Sequence, residues 1–170
     1  MKIALVGVAG IGKDFLADTL VNDYKYVKLS FARELKRLAS SIFNIPVNIA
    51  DNLKDVPKYN GYSIRQIWIE LAKTIRKFDD YYFINKLLET IDKIKTENII
   101  ITDVRDFKEL KALQQKGFIL IYIAGIPKRP SNEYDYNVPK LKEHCDYVFY
   151  NEFNGTNDFK LFIEKLINKE

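Results

Sequence analysis

The sequence holds one cysteine, Cys145, and one histidine, His144, in 170 residues. A lone thiol cannot close an intramolecular disulfide, and one Cys beside one His gives no metal-ligand spacing. No apolar run approaches the roughly 18 residues of a membrane span, and no signal peptide or lipidation motif is present. A soluble cytoplasmic protein with no membrane partner is therefore expected. Strong charge of either sign is lacking too: 27 Lys and Arg against 23 Asp and Glu leave +4. That balance suits a protein handling anionic small molecules, and no basic recognition module accompanies it, so polymeric nucleic acid is not expected as a partner. Internal repeats and low-complexity linkers are absent. The length suits a single domain, residues 1–170, that buries roughly 70% of its unfolded surface.

What is present is concentrated at the start, in KIALVGVAGIGKDFLADTLVNDY. Ile3 to Val6 is a short apolar run, as in a strand covered on both faces. Gly7, Gly10, Gly12 and Lys13 follow in the pattern G-x-x-x-x-G-K. Glycines let the backbone turn successive N–H groups into one concavity that a phosphate chain fills. Leu16, Ala17, Leu20, Val21 and Tyr24 then recur at helical spacing. The helix start adds positive potential, and Lys13 reaches the outer phosphates. Asp14 stands where Ser or Thr usually offers a hydroxyl to Mg²⁺. A carboxylate there either holds the metal, directly or through water, or serves as an acidic first-turn residue.

The rest alternates. Tyr26–Phe31 reads as a strand, and Leu35, Leu38, Ala39, Ile42 and Phe43 mark one face of a helix whose other side carries Arg33, Lys36 and Arg37. Those cations either line an anionic pocket or are solvated. Residues 44–62 break the pattern and read as a mobile connection. Ser63 is placed to cap a helix with Ile64, Ile67, Trp68, Leu71, Ala72 and Ile75 inward. Arg65 and Arg76 lie on nearly the same side of it, about 16 Å apart, too far to grip one phosphate on a straight helix. A further helix spans Phe83 to Ile94, opened by Asp79 or Asp80. The β-branched run at residues 98–102 ends at Asp103 and Arg105, where strand carboxyl ends in parallel sheets place ligand groups. Asp103 is a metal candidate or a helix cap; Arg105 neutralises phosphoryl charge or pairs with Asp103. Phe107, Leu110 and Leu113 mark a helix, Phe118–Ala124 a buried strand, and residues 125–143, rich in proline and containing Lys128 and Arg129, a lid. His144 has no visible catalytic partner. Tyr147–Tyr150 reads as the last strand, and Phe159 to Ile167 as the closing helix. The alternation predicts a three-layer α/β/α fold with a parallel sheet.

Taken together, these stretches resemble the phage-type deoxynucleoside monophosphate kinases. GVAGIGKD is similar to that family's phosphate loop, Phe31, Ala32, Leu35 and Lys36 to its F-A-x-x-L-K segment, and IITDVRDFKEL, with Asp103, Arg105 and Glu109, to its T-D-V-R segment. Arg65 begins the substrate-side helix, and DYVFYNEFNGTNDF resembles the closing pattern. Two departures stand out: Phe15 replaces a frequent Thr, and Ala72-Lys73 a frequent Gly-Thr.

The resemblance implies a P-loop kinase fold with a helical acceptor-binding insert, residues 33–95, and a lid. It implies ATP and Mg²⁺ as cofactors and a deoxynucleoside monophosphate as acceptor. Gly10, Ile11, Gly12, Lys13, Asp14, Phe15 and Asn151 would bind the nucleotide; Arg33, Lys36, Arg65, Arg76 and Asp103 the acceptor; Asp14 and Asp103 the metal. Lys13, Arg65, Arg105 and Arg129 would act on the transferred charge. The acceptor is already an ionised phosphate, so no general base is required. GKDF with a distant DVR also resembles animal phosphomevalonate kinases, which keeps another small-metabolite kinase as the alternative. A nucleotide switch without transferase activity lacks the guanine-reading signature, since residues 52–55 have the wrong order. A homodimer is left open.

Overall fold

The computed structural model describes residues 1–128 and 135–168. In chain order the elements are β1 (Lys2–Val6), α1 (Lys13–Tyr24), β2 (Val27–Leu29), α2 (Ala32–Phe43), β3 (Pro57–Tyr59), β4 (Tyr62–Ser63), α3 (Ile64–Phe78), α4 (Tyr82–Lys93), β5 (Ile99–Val104), α5 (Phe107–Gln115), β6 (Ile119–Ala124), β7 (Tyr147–Tyr150) and α6 (Asn157–Ile167). They fall into two compact units, one made of Met1–Ser30 with the chain from Ile94 onward, the other of Phe31–Lys93.

The first unit is built on a five-stranded sheet in the order β2-β5-β1-β6-β7, every neighbouring pair parallel. Ala4 lies beside Ile101 on one side and Leu120 on the other. Both faces of β1 are buried, which is why its sequence is continuously apolar rather than alternating. Ile3, Leu5, Ile100, Ile121 and Ile123 pack with Leu16 and Leu20 of α1 and Phe159 and Ile163 of α6. On the opposite face Ala4, Val6, Ile101 and Leu120 are fully or almost fully buried, and α5 and the 3-10 segment Val138–His144 pack against β6. Helices on both faces give three layers.

The second unit has its own small core of Ala39, Ile45, Ile64 and Trp68, flanked by Leu35, Ile49, Tyr59, Ile67 and Leu71. α3 opens with a reciprocal cap: Ser63 Oγ accepts from Gln66 N at 3.2 Å, and Gln66 Oε1 accepts from Ser63 N at 2.8 Å. Within residues 44–62, β3 and β4 pair antiparallel around Asn60 and Gly61, both with positive φ (48° and 83°). Asn-Gly between aromatic residues is a tight-hairpin signal, so this stretch holds more structure than a bare connection. β2 is shorter than the predicted strand, and β5 continues past Thr102 to Val104.

Candidate active site

The glycine loop joins β1 to α1. Gly12, at φ 91°, is the residue just before the helix, and among the described residues no side chain caps the first-turn amides. Those N–H groups therefore keep the capacity to bind an anion. Gly12 is glycine for a second reason: a Cβ there would run into the Asn151 amide and approach the Phe153 ring to 3.1 Å.

Asn151, only 3% exposed, pins the loop. Its Nδ2 donates to Ile11 O at 2.9 Å, its Oδ1 accepts from Phe153 N at 3.1 Å, and its own amide donates to Ala124 O at 2.8 Å. One residue thus ties the glycine loop to the loop after β7 through its side chain and to the end of β6 through its backbone amide. Lys128 adds a second tie, donating its amide to Gly10 O at 3.0 Å, with its Nζ 4.2 Å from the Phe153 ring centroid. Such bonding fixes a loop otherwise rich in flexible glycine.

Lys13 is buried, and its Nζ donates to Gly7 O at 2.6 Å and Val8 O at 2.9 Å. Burial, followed by the Arg105 charge, lowers its pKa to about 8, against the opposing pull of Asp14, Asp135 and Asp103. Thr102 within β5 donates to Asp14 Oδ1 at 2.9 Å, and Lys28 on β2 approaches the same oxygen at 2.8 Å. Partial burial pushes the Asp14 carboxyl upward, yet the Lys28 bond, supported by Thr102 and Lys13, leaves its pKa below the usual carboxylate value. The Asp14 side chain is 75% exposed.

Arg105 is held from two directions. Its backbone N donates to Glu109 Oε2 at 2.7 Å, and its Nη1 donates to Asp135 Oδ1 at 2.7 Å. Asp135, whose side chain is 0% exposed, also accepts from the loop amide of Ala9 through Oδ2 at 3.1 Å. This carboxylate therefore joins the phosphate loop to Arg105. Nothing in the sequence marks it, because an Asp inside SNEYDYN has no periodicity or motif, and its partners lie 30 and 126 positions away.

The first unit thus gathers Gly10, Ile11, Gly12, Lys13, Asp14, Arg105 and Asn151 around one loop, with the Asp103 charge acting on Lys13. The Phe15 side chain is exposed. Arg33, Lys36, Arg65 and Arg76 all belong to the second unit. Arg65 makes a two-pronged pair with Asp55, at 2.6 and 3.2 Å. Lys36 Nζ lies 5.5 Å from the Trp68 ring centroid, and Arg76 Cζ 5.4 Å from that of Phe83. Arg33 is exposed. Arg129 and the other residues of the predicted lid from 129 to 134 lie outside the described residues. His144 packs edge-on against Phe107, 4.8 Å between centroids. Among the described residues no three His, Cys, Asp or Glu side chains cluster to hold a metal by themselves, and no helix is long and apolar enough to cross a membrane.

Compared with known families, the chain matches none, and no curated protein matches it. Among solved structures it is similar to TT1252 from Thermus thermophilus, at 14% identity and a TM-score of 0.54, over 99% of this chain and 97% of that one. Shikimate kinase from Aquifex aeolicus aligns at 16% identity and a TM-score of 0.49, over 96% of each chain. Shikimate kinase from Bacteroides thetaiotaomicron aligns at 12% identity and 0.43, over 98% of this chain and 96% of that one. At these identities the likeness is one of fold. The parallel sheet and the helices on both its faces give this chain a three-layer α/β/α fold, and the likeness to TT1252 is a likeness of that fold.

Proposed function

We propose that this protein is a phosphotransferase that moves the γ-phosphoryl group of ATP to a phosphate oxygen of a deoxynucleoside monophosphate. The bond from the γ-phosphorus to the β,γ-bridging oxygen breaks, one to the acceptor oxygen forms, and ADP and a nucleoside diphosphate leave. The observation that carries this reading is the phosphate loop itself: uncapped first-turn amides, a pinned glycine backbone and a buried lysine at one helix start.

Lys13 would exchange two neutral carbonyls for the β- and γ-phosphate oxyanions, which favours its charged form. Arg105, oriented by Glu109 and Asp135, would neutralise charge on the transferred group. Lys36 and Arg65 would hold the acceptor phosphate, Arg65 by giving up or sharing Asp55, while Arg33 and Arg76 add positive charge from α2 and α3. The oxygen donors Asp14 and Asp103 suit a cation that keeps several waters and completes its shell with substrate phosphates, so a three-carboxylate cluster is not needed. They would hold Mg²⁺, which when bound supplies charge neutralisation across the β- and γ-phosphates. Phe15 contributes through its backbone N–H, and Asn151 by shaping the loop.

ADP release from ATP and Mg²⁺, measured with each deoxynucleotide and ribonucleotide monophosphate, phosphomevalonate and shikimate, tests this reading. Stimulation by one or more deoxynucleotides, reduced at least about a hundredfold by Lys13→Ala, is expected. Stimulation only by phosphomevalonate or shikimate would move the chain to another acceptor class. Slow hydrolysis indifferent to every acceptor would favour a nucleotide switch.

A further inference from the structure

Trp68 is the only tryptophan in the sequence, and it lies on the helix that begins with Arg65. It is 8% exposed, and its Nε1 is the one buried side-chain nitrogen or oxygen without a hydrogen-bond partner among the described residues. Buried donors are nearly always satisfied, and a buried tryptophan usually sits where its N–H finds an acceptor. Phenylalanine or leucine would fill an apolar core without stranding a donor. The surroundings explain what is missing. Ala39, Ile45 and Ile64 share its cluster and offer no side-chain acceptor, the Tyr59 hydroxyl beside the cluster does not bond the indole N–H, and the Lys36 ammonium, 5.5 Å from the ring centroid, can only donate. The Lys36 charge does attract what the indole needs, an anion rich in acceptor oxygens. Arg65, three residues before Trp68, lies on the same helix face and carries the same sign.

We propose that Trp68 is an acceptor-binding residue whose indole N–H donates to an oxygen of the anionic phosphoryl acceptor that Lys36 draws in. The inference rests on the reading of Lys36 and Arg65 as acceptor ligands and deepens it: the acceptor completes a hydrogen bond that the protein leaves open. Lys36 lies over the ring face, 5.5 Å from its centroid, so an anion that it attracts is drawn to the neighbourhood of the indole.

Having one tryptophan makes the test direct, because the ¹⁵N-labelled full-length chain gives a single indole ¹H–¹⁵N signal. Titration with the monophosphate that best supports ADP release is expected to move that indole proton downfield, half-maximally at the acceptor KM. Trp68→Phe, which keeps an aromatic ring and removes the donor, is expected to raise the acceptor KM about tenfold and leave the KM for ATP unchanged. An indole signal that stays fixed while the same acceptor is turned over overturns the proposal and leaves the kinase reading intact. So does a Trp68→Phe enzyme with an unchanged acceptor KM. If no acceptor supports ADP release, the kinase reading falls separately, and titration with inorganic phosphate decides the indole: a downfield shift keeps Trp68 as an anion-site donor, and none removes it.

Discussion

Lys13 is the residue whose protonation the phosphate loop controls. Its pKa is lowered to about 8, first by burial and then by Arg105. A phosphate oxyanion against the ammonium favours the charged form, so binding raises this pKa and takes up a proton wherever free Lys13 is neutral, that is, above about pH 8. ATP affinity should hold steady below pH 8 and weaken above it, by up to about tenfold per pH unit. Calorimetry at pH 8.5 in buffers of different ionisation enthalpy should show net proton uptake, and Lys13→Met should abolish it. Asp135 carries a different kind of weight. Replacing a buried carboxylate that bonds both a guanidinium and a loop amide leaves Arg105 without its charge partner. Asp135→Asn should cost roughly 2 kcal/mol in urea unfolding at an unchanged m-value. Arg37→Gln, which breaks the exposed pair with Glu34, is the control and should leave the midpoint where it was. The two residues also differ in legibility. Lys13 belongs to a contiguous pattern with a mechanical meaning. Asp135 acquires its role only from partners brought to it by folding, which no local pattern records.

At the scale of elements, most boundaries follow from local chemistry. Ser63 and Gln66 form the cap that starts α3, and the apolar stripe behind them sets the buried face. Ser63→Ala removes the acceptor for one first-turn amide and should cost about 1 kcal/mol. Differential scanning calorimetry should show a melting temperature lower by roughly 2–4 °C, with the acceptor KM little changed. The hairpin of β3 and β4 was the element least visible beforehand. Two prolines and a glycine dominate that stretch by composition, yet the Asn60-Gly61 pair carries the structural information, since both residues adopt the positive φ that a two-residue turn requires. Asn151 shows the converse. Its position after the last strand was legible through family resemblance, but its grip on Ile11 O is a contact across 140 positions that only the assembled loops reveal.

At the scale of the molecule, the layered architecture was legible because a strand covered on both faces must be apolar throughout and each covering helix must carry one apolar stripe. The order of strands was not. Periodicity states which face is buried and says nothing about which strand lies alongside. The division into two units places the run of helices between the second and third sheet strands within Phe31–Lys93. That division gives the order β2-β5-β1-β6-β7 a consequence for how the chain is made. β5 separates β1 from β2, so these two strands have no partner in the central sheet until residues near 99–104 have been made. Until then the apolar β1 and the short, half-exposed β2 stay unpaired. The contiguous unit Phe31–Lys93, by contrast, has its whole core of Ala39, Ile45, Ile64 and Trp68 made before β5 appears, so it is the first whose own core can be completed.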